Sequence, residues 1–292
     1  IKKDYGCYLF LLPMIIGFFI FTAYPVITSL IYSFTDYNGL FYTKLGLENY
    51  QNMFDFSFSG LGKDVFKSFG VTFEWALISI PLGLVLSFML ALLASKEVKG
   101  VGVYRLLFYM PTIIPSIAIS FIWADTFSSD GLANQLLLSL GLPPSMWLEG
   151  ESTALWTLIL TGVWGIGGNM IMWLASLRNI PPELYEAASL DGAGYFTNLF
   201  RITIPLCTPM IFYNLLNALI GAMQAFDVYA MVGHGPNDSL YFISIRIYET
   251  AFGSGNEYGL ACAMGWLMFA VIAVLTLIMF KTNNWVNYGE ES

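Results

Sequence analysis

Six long apolar runs, separated by shorter polar stretches, limit this chain more than anything else in it. Crossing a hydrocarbon layer of roughly 30 Å takes about 20 apolar residues in helical form. Runs of that length fall near Tyr8–Ser33, Val71–Ser95, Leu106–Phe127, Ala154–Leu177, Ile204–Met231 and Gly259–Phe280. Lipid offers no hydrogen bonds, so each backbone group must be paired within its own helix or within a closed barrel. The runs lack strand alternation and therefore read as helices. Only 11% of residues are charged, against about a quarter in soluble domains. The expectation is an all-α polytopic membrane protein with six transmembrane helices in a single domain over 1–292. The first run follows Lys2 and Lys3, yet it is too long for a signal peptide and lacks a small-residue cleavage site, so it reads as a permanent helix.

The distribution of basic residues predicts orientation better than the net charge of −8 does. Lys2, Lys3, Lys96, Lys99, Arg105, Arg178, Arg201 and Lys281 fall on one side of the six spans, against Lys44, Lys63, Lys67 and Arg246 on the other. The positive-inside rule then puts both termini in the cytoplasm, together with the loops near 96–105 and 178–203. The loops near 34–70, 128–153 and 232–258 face outward. Cys7, Cys207 and Cys262 have no CxxC spacing, and no HExxH occurs. Neither a metal site nor a catalytic site is expected.

Two polar stretches carry helix signals. Gly131 to Leu140 reads as a short amphipathic helix stopped by Gly141, Pro143 and Pro144. The longer cytoplasmic loop, 179–209, reads NIPPELYEAASLDGAGYFTNLFRITIPLCTP. Pro181 and Pro182 suit a helix start, and Glu183 and Glu186 set negative charge against the positive end of its dipole. Ala187 and Ala188 favour continuation, and Gly192 stands where a chain leaves a helix in left-handed conformation. The spacing predicts a helix of about ten residues, roughly 15 Å long, too short and too polar to cross a membrane.

Glu186, Ala187, Ala188, Asp191, Gly192, Ala193, Pro205 and Pro209 resemble, in order and spacing, the EAA motif of the permease subunits of binding-protein-dependent ABC importers. The strings LLPMIIGFFIFTAYPVITSLIYSFTDYNG, GLENY, WGIGGNMIMWLASLRNIPPELYEAA and FDVYAMVGHGP extend the resemblance over nearly the whole chain. They narrow it to sugar-type permeases similar to the larger maltose-permease subunit family. That resemblance implies a type I importer fold in a bacterial or archaeal inner membrane. It also implies that the short helix couples to an ATP-hydrolysing subunit through Glu183, Tyr185, Glu186, Ala187, Ala188, Asp191 and Gly192. The implied partners are two ATPase subunits carrying ATP and Mg, a second and homologous permease subunit, an extracytoplasmic binding protein and the sugar itself. No nucleic acid is expected. The resemblance does not reach the maltose subunit's additional N-terminal helices or its large outer domain, so contacts made there are not expected to carry over, and GHGP puts His234 in an outer turn where relatives carry paired glycines.

Polar groups in a membrane helix mark faces turned away from lipid. Asn214, Asn217, Gly221 and Gln224 recur at helical spacing within an arc of roughly 80° in the fifth run. Thr157, Thr161, Trp164 and Gly168 do so in the fourth, with Asn169 beside them. Amides suit sugar hydroxyls and an indole suits a sugar ring face. The resemblance implies that these two helices line a substrate path. An interhelical hydrogen-bonding role for the same groups is the competing reading. No GxxxxGK[ST] occurs, so the chain holds no P-loop and its energy must come from another subunit. The alternative, an ion-driven secondary transporter, would titrate Asp125 or Asp227.

Overall fold

The computed structural model describes residues 5–58, 60–96, 99–253 and 255–286, with side chains from residue 10 onward. Lys2, Lys3 and the side chain of Cys7 lie outside the described residues. Within them the chain is helical and contains no strand, only an isolated antiparallel bridge between Thr35 and Leu45. In order the helices are α1 (Tyr5–Phe18), α2 (Tyr24–Ser33), α3 (Glu48–Met53), α4 (Gly62–Ala94), α5 (Val101–Tyr109), α6 (Ser116–Thr126), α7 (Leu132–Ser139) and α8 (Glu151–Val163). There follow α9 (Gly167–Arg178), α10 (Pro182–Leu190), α11 (Tyr195–Asn198), α12 (Ile204–Leu206), α13 (Thr208–Met223), α14 (Asp227–Val232), α15 (Ile243–Phe252) and α16 (Tyr258–Lys281).

Three helical stretches are long and apolar enough to cross a membrane alone: Phe10–Ser33, Gly62–Ala94 and Tyr258–Lys281. The other three expected spans are bent pairs. α5 and α6 meet at 95°, α8 and α9 at 50°, and α11–α12 and α13 at 65°. Each break has a local cause. Pro115 forces Ile114 into an extended conformation, ψ 133°, and ends the α5 segment. Two glycines, Gly165 and Gly167, flank the α8–α9 break. At the third, Pro209 brings no amide hydrogen, and the Thr208 hydroxyl bonds the Pro205 carbonyl at 2.7 Å in place of an amide. Prolines also widen the helix without breaking it. Turns of π type occupy Phe19–Ala23 and Leu199–Thr203, each just ahead of a proline that cannot donate, Pro25 or Pro205.

The chain groups into two compact units, Ile1–Lys67 with Arg246–Val271, and Ser68–Ile245 with Ile272–Ser292. In the first, the loop after α2 is organised by Asn49, whose amide nitrogen donates to the carbonyls of Ser33 and Thr35 at 3.0 and 2.8 Å. The Asp36 carboxylate accepts from the amides of Thr43 and Lys44, both at 2.8 Å, and from the Thr43 hydroxyl. These donors, the hydroxyl foremost, hold its pKa down from 3.8 to about 2.

The second unit has two dry cores. One surrounds Ala91, Met170, Trp173, Leu174 and Cys207, with the Trp173 indole nitrogen donating to the Ser87 hydroxyl at 3.0 Å. The other joins Ala154, Leu158, Val228, Leu240, Phe242 and Ile245. Between α5 and α9 the backbones touch: a methyl group on Gly167 would overlap the Phe108 carbonyl. Gly167→Ala should therefore destabilise the protein by about 1–3 kcal/mol, whereas Gly162→Ala, with open space around the added carbon, should not. Thermal unfolding in detergent, followed by fluorescence-detected gel filtration, checks both.

Candidate functional site

Helix α10 forms over Pro182–Leu190, close to the expected ten residues. Its C-terminus closes as the sequence predicts. Gly192 adopts φ +78°, the Gly192 amide bonds the Ser189 carbonyl at 3.1 Å, and the Ala193 amide bonds the Ala188 carbonyl at 2.9 Å. This pair of bonds is the Schellman closure, which satisfies carbonyls that the helix end would leave orphaned. No residue of α10 is buried, so packing of its own faces cannot hold it in place. Tyr185 does so instead: its ring packs on the core around Trp173, and its hydroxyl lies 2.9 Å from that of Thr203. Tyr185 thus faces inward, unlike the other expected coupling residues. Glu183, Glu186, Ala187, Asp191 and Gly192 are exposed and Ala188 is half-buried. Around them Leu190 is 90% exposed, and Phe196 and Phe200 are also open. Exposed apolar side chains beside carboxylates of this kind are what a docking surface would need.

Of the two polar stripes, the one on the fourth run is interrupted and the one on the fifth stays on a single helix up to its cap. The fourth run breaks between Val163 and Gly167, so Trp164 sits in the bend and Gly168 begins a new helix direction. The fifth ends at Met223, and Gln224 leaves the helix at φ −104°, ψ 12°. Asn214 is 5% exposed, and its amide nitrogen has no partner among the described residues. Asn217 is exposed and donates to the Tyr213 carbonyl of its own helix at 2.8 Å. Gly168 packs against the Thr112 methyl group.

Two neighbouring cavities gather part of the expected path. One, of about 270 Å³, is walled by Ser79, Leu158, Gly162, Asn169, Gly221 and Trp75. The other, also about 270 Å³, is walled by Ser120, Trp123, Thr161, Trp164 and again Trp75. Trp75 was missed in the sequence reading, although it lines both. Its indole nitrogen is buried with no partner among the described residues. The available signal was Trp75 with Ser79, one turn apart in the apolar part of α4. Trp123 and Trp164 meet edge to face at 5.8 Å and complete an aromatic wall. Glu74, Asp125 and Asp227 are exposed rather than buried. His234 stacks on Tyr241 at 3.9 Å.

Residues 83–288 match the family model of the binding-protein-dependent transport system inner membrane component. The chain is 38% identical to the probable ABC transporter permease protein YesP of Bacillus subtilis, over 98% of this chain and 93% of that one. It is 30% identical to the arabinooligosaccharides transport system permease protein AraP of the same organism, over 96% and 89%. Among solved structures it superposes with a TM-score of 0.81 on a chain of the bacterial alginate ABC transporter in complex with an alginate pentasaccharide-bound periplasmic protein, at 23% identity and over 97% and 95% of the two chains. Gly192→Ala would force a Cβ into the left-handed region at a cost of about 1–2 kcal/mol. Limited proteolysis should then cut faster between residues 190 and 195 while the membrane helices stay intact.

Proposed function

Because this chain belongs to the family of binding-protein-dependent inner membrane transport components, and is thus a multi-pass ABC importer permease subunit, we propose that its cargo is a sugar or short oligosaccharide. The names of the relatives support the cargo class, and so does the chemistry of the two cavities. Trp75 and Trp164 offer apolar aromatic rings and Asn169 offers an amide, a combination that suits a ring bearing hydroxyls. The chain would lie in the cytoplasmic membrane beside a second, homologous permease subunit and receive its cargo from an extracytoplasmic binding protein.

The observation that carries the coupling mechanism is α10: a short helix, anchored by one tyrosine, with Glu186, Ala187 and Leu190 open to a partner. In the proposed cycle two partner ATPase subunits bind ATP and Mg and close on one another, and α10 moves with them as a rigid lever. Their binding energy acts only to the extent that it favours one arrangement of the spans over another. The anchor then has a mechanical meaning. Tyr185 ties α10 to the core formed by α4, α9 and the segment before α13, so a displacement of the helix is passed to those spans instead of being lost in a loose loop.

Glu186→Lys should weaken copurification of the ATPase subunits at least about tenfold, equivalent to about 1.4 kcal/mol at the interface; unchanged stoichiometry would reject the docking role. In proteoliposomes holding the full complex and its binding protein, uptake should require ATP. Trp75→Leu and Asn169→Leu should raise the sugar concentration needed for half-maximal uptake while leaving ATPase docking intact. Uptake by this chain alone under an ion gradient would overturn the proposal.

A further inference from the structure

We infer that a cleft beside α10 is a binding site for a phosphate ester that also carries a free hydroxyl group, either the glycerophosphate headgroup of a membrane lipid or a soluble sugar or glycerol phosphate. The cleft has a volume of about 410 Å³, and its walls include Lys96, Arg178, Tyr185, Asn198, Leu177 and Leu199. It is separate from the two cavities of the proposed sugar path and shares no lining residue with them.

Three observations converge there. First, Lys96 follows the end of α4 and Arg178 closes α9, so two helices deliver a cation to one cleft. Each would be favoured by the dipole of its own helix, but that alone does not bring both into a shared cavity. Second, among the described residues no carboxylate lines the cleft and neither cation has an ion-pair partner. Both side chains are exposed; an anion would complement them, and a guanidinium and an ammonium lining one cleft suit phosphate oxygens, which accept several charge-assisted hydrogen bonds at once. Third, the Asn198 side-chain oxygen is buried and has no hydrogen-bond partner among the described residues. An acceptor left unpaired in a buried position is costly. Phosphate oxygens cannot satisfy it, because they are acceptors too, whereas a ligand hydroxyl can. Leu177 and Leu199 offer an apolar wall for the carbons between phosphate and hydroxyl.

Tyr185, the anchor of α10, is itself a wall of this cleft. An occupant would therefore brace the base of the lever and tie its position to the supply of lipid or metabolite. That consequence rests on the coupling role proposed above; the binding does not.

The test uses the complete complex with its ATPase subunits, in nanodiscs of phosphatidylcholine alone or with added phosphatidylglycerol, and with glycerol 3-phosphate as the soluble probe. Native mass spectrometry reads retained lipid, and phosphorus NMR reads the soluble ester. The wild-type complex should hold one of the two probes, and Lys96→Gln with Arg178→Gln should weaken that binding at least about tenfold. Lys96→Arg with Arg178→Lys should keep it, which separates charge from folding. Asn198→Leu should erase any preference for phosphatidylglycerol over phosphatidic acid, which lacks the headgroup hydroxyls. Retention of phosphatidylglycerol alone assigns the lipid source, and binding of glycerol 3-phosphate alone assigns the soluble one. Binding of neither probe, or equal binding by the Gln double variant, would overturn the inference. Sugar-stimulated ATP hydrolysis, measured in the same discs, keeps the two readings apart: stimulation without ester binding removes the site and leaves the importer reading standing.

Discussion

Every backbone amide and carbonyl of this chain that enters the apolar layer must find its partner without help from water, and the architecture follows from that demand. It explains why the long runs are helices, and it also explains how they break. Where Pro115, Pro205 or Pro209 removes a donor, the structure supplies another arrangement nearby. The Thr208 hydroxyl takes over the Pro205 carbonyl, the Ile114 amide bonds the Pro111 carbonyl, which Pro115 cannot serve, at 3.3 Å, and the turn before Pro205 widens instead of opening. Three of the spans can therefore bend by 50° to 95°. Arg105 does similar work at the end of α4, where its guanidinium donates twice to the Ala94 carbonyl.

Local signals were the legible ones. Proline at the start of α10, a left-handed glycine at its end and the same closure at Gly141 after α7 are short-range rules, and the backbone follows them. The six apolar runs were also readable, because hydrophobic length is a property of the sequence alone. The stripe of the fourth run was not: it crosses the break after Val163, whereas Asn214, Asn217 and Gly221 share the unbroken α13, which Gln224 caps. One turn of non-helical backbone is enough to redirect every side chain that follows.

The other omissions came from residues whose role depends on distant partners. Asn134 reads as an ordinary polar residue on a short amphipathic helix. In the structure it is buried and bonded to the carbonyls of Ser129 and Ser145, the Ser145 amide and the Trp147 indole, and so fixes the loop after α7. Asn49 does the same for the loop after α2. Tyr185 sits in the middle of a motif and was grouped with its exposed neighbours, yet only the packing of α9 and α13 residues around it reveals it as an anchor. No spacing rule within α10 could have separated Tyr185 from Glu186.

The bare leucine and phenylalanines near α10 bear on how a cell must manufacture this polypeptide. Leu190, Phe196 and Phe200 stand open in the isolated chain, and uncovered groups of that kind invite self-association or capture by chaperones and proteases. If the proposed ATPase partners cover them, a copy synthesised without those partners would be open to that fate, and production of the subunits in matched amounts would be the economical way to avoid the waste.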